Sequence, residues 1–224
     1  MTEKSLKIPV EDSDVSALWL APAKPRAALV LAHGAGTNMH HKSLTAIAEG
    51  LAQRDIATLR FNFLYAERGL SRPDAAPRAH AAVRAAAREA TKLGGKLPLF
   101  AGGRSFGGRM TSQAQALDAL PGVCGLIFFA FPLHPAGKPS DERARHLLDV
   151  NVPMLFLQGT RDALAEPDLM KHVIKRLGAR ATLKLLEAAD HSFHVAAKTG
   201  RKDAEVLADV LDTVAQWMAQ HSLC

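Results

Sequence analysis

The chain has 224 residues, 48% of them hydrophobic, which suffices for one substantial core and leaves no length for a large separate cap, so one domain over 1–224 is expected. The formal charge of +6 comes from lysines and arginines scattered in ones and twos, which argues against a nucleic-acid-binding surface, and no stretch has the apolar length to span a bilayer. The opening Met1-Thr2-Glu3-Lys4-Ser5-Leu6 leads into mixed polar sequence without an apolar leader, and the only cysteines are Cys124 and Cys224, so a cytoplasmic protein without a disulfide framework is expected.

In chain order, residues 5–10 and 15–21 read as two strands of an antiparallel hairpin at a sheet edge. Ala27-Ala28-Leu29-Val30-Leu31-Ala32 is an uninterrupted apolar run of buried-strand type, and it ends in His33-Gly34-Ala35-Gly36. A helix over 43–53, a strand over 56–63 and a long alanine-rich helix over 73–93 follow, the last stopped by Gly94-Gly95. The apolar run Leu97-Pro98-Leu99-Phe100-Ala101 then meets a helix over 106–119 through Gly103-Arg104-Ser105-Phe106-Gly107. A strand over 123–131 places Cys124 in the core, a short helix is expected over 141–148, and a strand after Pro153 ends at Gly159. A helix over 167–177 stopped by Gly178, a strand over 182–187 and a closing helix over 202–220 complete the chain. Strands alternating with helices imply an α/β fold: a mostly parallel twisted sheet of about eight strands, helices on both faces, and a site at the carboxyl ends of the strands. No repeat, low-complexity linker or heptad pattern is present.

The chemistry gathers at those carboxyl ends. Ser105, at a strand-to-helix turn between Gly103 and Gly107, has the setting of an exposed nucleophile, because only small neighbours let the backbone pass such a turn. His33-Gly34-Ala35-Gly36 resembles an oxyanion loop, with the amides of Ala35 and Phe106 as donors, each worth on the order of 3 kcal/mol to a tetrahedral intermediate. His33 itself is expected to pack and hold that loop. Asp162 stands three residues past a strand-ending glycine; Asp190 is expected to shape a turn, and Asp141 and Asp149 to cap or to be solvated. His191 follows the last strand, and spacing alone does not separate it from His194. Arg104 and Arg109 flank the nucleophile either as binders of a substrate carboxylate or as structural ion pairs, and Leu64, Tyr65, Leu133 and His134 are candidate pocket residues. No histidine set has metal-ligand spacing, so no metal and no cofactor are expected.

These features together resemble the α/β-hydrolase superfamily over nearly the whole chain. Arg60-Phe61-Asn62-Phe63, Gly102-Gly103-Arg104-Ser105, Phe131-Pro132-Leu133-His134-Pro135 and Asp190-His191-Ser192-Phe193 look like segments of one group among the small, lidless, single-domain bacterial hydrolases of the dienelactone-hydrolase-like kind. The resemblance implies the α/β-hydrolase fold, favours His191 over His194, and matches the chain order Ser105, Asp162, His191. Dienelactone hydrolases proper use a cysteine where this chain has Ser105, which sets the dienelactone aside as the expected substrate. Residues 131–153, the usual place for a lid, hold one short helix, so an open site suited to small or water-soluble esters is expected. The function implied is a serine hydrolase cleaving small carboxylic esters or thioesters through an acyl-enzyme. A catalytically weak hydrolase-like interaction module and a short-peptide hydrolase are the alternatives, and the sequence leaves the oligomeric state open.

Overall fold

The computed structural model describes residues 1–223, and Cys224 lies outside the described residues. The chain opens with β1 (Thr2–Val10) and β2 (Ser13–Ala21), paired antiparallel through a two-residue turn in which Glu11 takes φ 52°. The hairpin begins three residues earlier than the apolar pattern implies, because the polar residues 2–4 still complete the ladder with Trp19, Leu20 and Ala21. β3 (Ala27–Ala32) leads through the His33 loop to helix α1 (Lys42–Ala52), and β4 (Ile56–Phe61) follows. β4 is two residues shorter than expected. At Phe63 the chain turns instead into a four-residue helix, α2 (Leu64–Glu67), which has no sequence period to betray it.

Helix α3 (Ala76–Gly94) ends at Gly95, whose φ of 61° is the left-handed conformation expected of a glycine stop. β5 (Leu99–Arg104), α4 (Phe106–Leu117), β6 (Val123–Phe129), a 3-10 helix (Glu142–Asp149), β7 (Met154–Gly159), α5 (Pro167–Leu177), β8 (Ala181–Leu186) and α6 (Asp203–Gln220) complete the order. The short helix expected after β6 is thus a 3-10 helix. All eight strands form one open sheet in the order β1-β2-β4-β3-β5-β6-β7-β8, parallel from β4 to β8.

β3, β4, β6 and β7 are buried at every residue, as continuous apolar runs require of strands covered on both faces. One core lies between the sheet and α3, α4 and α5; the other lies between the sheet and α1 and α6. Cys124 is 3% exposed in the second core, as expected, but it is not a free thiol. No described helix is long and apolar enough to cross a membrane. Because β3 sits between β4 and β5, the chain reverses its direction of winding there, and a crevice opens beyond the carboxyl ends of β3 and β5.

Candidate active site

Four of the parallel strands deliver chemistry to that crevice. β5 ends at Arg104, and Ser105 follows at φ 50° and ψ −114°, a conformation sparsely populated for any residue with a Cβ. The surrounding structure enforces it: the Ser105 amide donates to the Phe129 carbonyl at 3.1 Å, and the Ser105 carbonyl accepts from Arg109 at the start of α4. A Cβ on Gly103 would come within 2.4 Å of the Ala32 carbonyl oxygen, and one on Gly107 within 2.5 Å of the Ala32 and His33 oxygens. The tight turn therefore exists only because both positions are glycine.

The Ser105 hydroxyl lies 2.9 Å from Nε2 of His191, and His191 Nδ1 lies 2.7 Å from Oδ2 of Asp162. The carboxylate is fully enclosed, whereas the imidazole is 24% exposed. Oδ1 of Asp162 accepts from the Leu164 amide at 2.8 Å, and Oδ2 accepts also from the Gln158 side-chain amide. Buried charge is tolerable when it is hydrogen-bonded on all sides, and Asp162 is. The loops that carry the acid and the imidazole are tied to each other: Arg161 donates to the Ala189 carbonyl at 2.9 Å, and Ala188 to the Thr160 hydroxyl at 2.8 Å.

His194 does not join this series. It is an exposed partner of Asp203 at 2.8 Å, and that hydrogen bond raises its pKa. Asp190 shapes the turn, accepting from the amides of Ser192 and His194 at 2.6 and 2.9 Å. Asp141 pairs with Arg176 at 2.6 Å, and Asp149 acts on His146.

The loop after β3 is braced from behind. His33 is fully buried; its Nδ1 donates to the Gly34 carbonyl at 2.9 Å and its Nε2 accepts from the Phe63 amide at 3.1 Å, which defines a neutral tautomer. Burial pushes its pKa down to about 4, against a smaller opposing effect of the Gly34 bond. The Tyr65 hydroxyl donates to the same Gly34 carbonyl at 3.1 Å. Among the described residues the amides of Ala35 and Phe106 donate to no protein acceptor, and Ala35 is exposed.

The two arginines beside the serine separate. Arg104 reaches across to the histidine loop, donating from Nη2 to the His191 carbonyl at 3.0 Å and lying 5.9 Å from the Phe193 ring centre. It is thus occupied by protein groups. Arg109 has no ion pair and no hydrogen-bond partner from its side chain among the described residues. Leu64, Tyr65, Leu133 and His134, expected as pocket residues, are buried at 3%, 0%, 0% and 1% exposure. Gln158 was not anticipated. Its signal is a lone amide in the otherwise apolar run Met154–Gly159. A surface depression of about 530 Å³ lined by Arg26, Arg54, Asp55 and Asp212 lies at the opposite ends of the strands, remote from Ser105. Among the described residues, no group of His, Cys, Asp and Glu converges as metal ligands would.

A serine, a histidine and a buried aspartate brought together at the carboxyl ends of an open, mostly parallel sheet fit the comparisons with known proteins. Residues 25–219 match the family model described as "Alpha/beta hydrolase domain", and the chain belongs to that family. Its structure is similar to a dienelactone hydrolase from Anabaena variabilis (TM-score 0.79, 18% identity, 98% of each chain covered). It is also similar to an α/β serine hydrolase without lid from Xanthomonas campestris (0.76, 24%, 96% of this chain and 94% of that one). A third similar structure is the esterase domain of a Rhodothermus marinus protein (0.74, 16%, 99% and 100%). The protein is a hydrolase of the α/β class, dienelactone-hydrolase-like in fold.

Proposed function

We propose that the protein is a serine hydrolase that cleaves small carboxylic esters or thioesters through an acyl-enzyme. The observation that carries the reading is the unbroken series from the Ser105 hydroxyl through His191 to Asp162, at 2.9 and 2.7 Å. In this reading Ser105 Oγ attacks the acyl carbon while His191 Nε2 takes its proton, and His191 returns the proton to the departing alcohol or thiol. Asp162 holds the imidazole with its proton on Nδ1 and stabilises the imidazolium that forms. Water then attacks the acyl-enzyme with His191 again as base, releasing the acid and regenerating the serine.

The negative charge of each tetrahedral intermediate falls to the amides of Ala35 and Phe106, a role supported by their lack of protein acceptors and by the bracing of Gly34 from His33 and Tyr65. The 3-10 helix in place of a lid leaves the serine partly exposed, which supports small or soluble substrates over long acyl chains. One continuous sheet running from β1 to β8 supports reading 1–224 as one domain.

Ser105→Ala is expected to lower p-nitrophenyl acetate turnover by at least about a thousandfold and to abolish labelling by a fluorophosphonate probe. Full turnover by that variant would overturn the reading. A folded wild-type protein that the probe leaves untouched would point instead to an inert interaction module.

A further inference from the structure

β7 is an apolar strand with one polar side chain. Met154 and Phe156 pack into one core and Leu155 and Leu157 into the other, whereas Gln158, next to the strand's last residue, buries a primary amide completely. Such burial costs free energy unless the amide is hydrogen-bonded, and only half of it is. Its Nε2 donates to Oδ2 of Asp162, while Oε1 has no donor among the described residues. The amide is oriented by its partner, since a carboxylate oxygen accepts. Packing does not account for a glutamine here, because methionine fills nearly the same volume and would leave no orphaned oxygen.

What the contact does account for is the aim of Asp162. This residue stands three positions past β7, and its side chain folds back onto the strand that the chain has just left. Oδ1 accepts from the Leu164 amide at 2.8 Å, and Leu164 belongs to the same loop as Asp162. Oδ2, the oxygen 2.7 Å from His191 Nδ1, is the one that Gln158 holds. Gln158 is itself fixed in the sheet: β7 pairs with β6 on one side and β8 on the other, and Gln158 stands opposite Leu185 of β8. The oxygen that faces the imidazole is therefore tied to paired strands, and the other only to its own loop. A lysine or arginine could make the same contact, but its charge would compete with the imidazolium for Asp162. A neutral amide directs the carboxylate and leaves its charge to the ring.

We propose that Gln158 is a positioning residue for the hydrolytic reaction: it holds the Asp162 carboxylate in the orientation that presents Oδ2 to His191, and so acts on Ser105 through two intermediaries. The proposal rests on the reading of Ser105, His191 and Asp162 as a triad and deepens it by naming what aligns the buried end.

The test is a double-mutant cycle on p-nitrophenyl acetate with wild type, Gln158→Met, Asp162→Ala and the double variant. Gln158→Met is expected to lower kcat about ten- to hundredfold with KM within about twofold, because a misaligned base costs rate and not ground-state binding. In the Asp162→Ala background the same substitution is expected to change kcat less than about twofold, since the group it serves is gone. Losses that multiply across the cycle, a loss carried by KM, or a Gln158→Met enzyme as fast as wild type would each overturn the proposal. Gln158→Leu gives the same reading should the methionine variant not fold. Crystal structures of wild type and the apolar variant need no turnover and separate the proposal from the one beneath it. The Asp162 carboxylate is expected to turn in the variant, taking Oδ2 beyond about 3.5 Å from His191 Nδ1. An unmoved carboxylate in a variant of an enzyme that hydrolyses the ester sinks the positioning role alone, whereas a turned carboxylate upholds it even if no ester is cleaved.

Discussion

Ser105 bears a backbone cost at the turn from β5 into α4. A Cβ-bearing residue at φ 50° and ψ −114° is strained by about 1–3 kcal/mol, and a glycine there is not. Ser105→Gly is therefore expected to be more stable than Ser105→Ala by more than the roughly 1 kcal/mol by which glycine exceeds alanine at an ordinary helix N-cap, read in urea denaturation. A difference no larger than that ordinary preference would mean that the turn stores no strain. The serine and its flanking glycines are legible in the sequence because the demand is local, within five residues. The fate of Arg104 is not, since its acceptor on His191 lies 87 positions away and nothing near residue 104 announces it. Sequence distance also hides the burial of Tyr65, whose hydroxyl donates to the Gly34 carbonyl 31 positions away.

At the scale of elements, the buried strands are readable as apolar runs, and their ends fall within a few residues of where the pattern stops. Helix α2 escapes because four residues cannot display a period of 3.6. Its place is held by Glu67 instead, which accepts from Lys7, from the hydroxyl and amide of Ser16 and from Asn62, tying α2 to the edge hairpin and to the end of β4. Burial alone drives the Glu67 carboxyl upward, but these four hydrogen bonds outweigh it and hold the pKa at about 2, below the ordinary 4.5. A carboxylate depressed in the folded state contributes stability that is complete above the unfolded value and lost as the pH falls through the folded one. Stability should thus decline between pH 4.5 and about 2, and Glu67→Gln should flatten that part of the urea-midpoint profile. A variant with an acid limb as steep as wild type would remove Glu67 from this role.

Across the whole molecule, the components of the proposed triad sit at unequal depths in the sheet. Ser105 follows β5, and Asp162 follows β7; both strands have neighbours on either side. His191 follows β8, the edge strand, whose residues alternate between partial and full exposure until Leu186. Edge elements open at lower free energy than central ones, so the imidazole is attached to the part of the sheet that loosens first. The Arg104 contact to the His191 carbonyl is the brace between middle and margin. Esterase activity is accordingly expected to fall at lower urea concentration than far-UV circular dichroism, and Arg104→Gln should widen that gap. Coincident transitions in both proteins would show that the margin melts together with the centre. The proposed triad would thus carry its own fuse: turnover is expected to stop at the first fraying of the border, before the body of the protein is lost, and to resume when the border closes again.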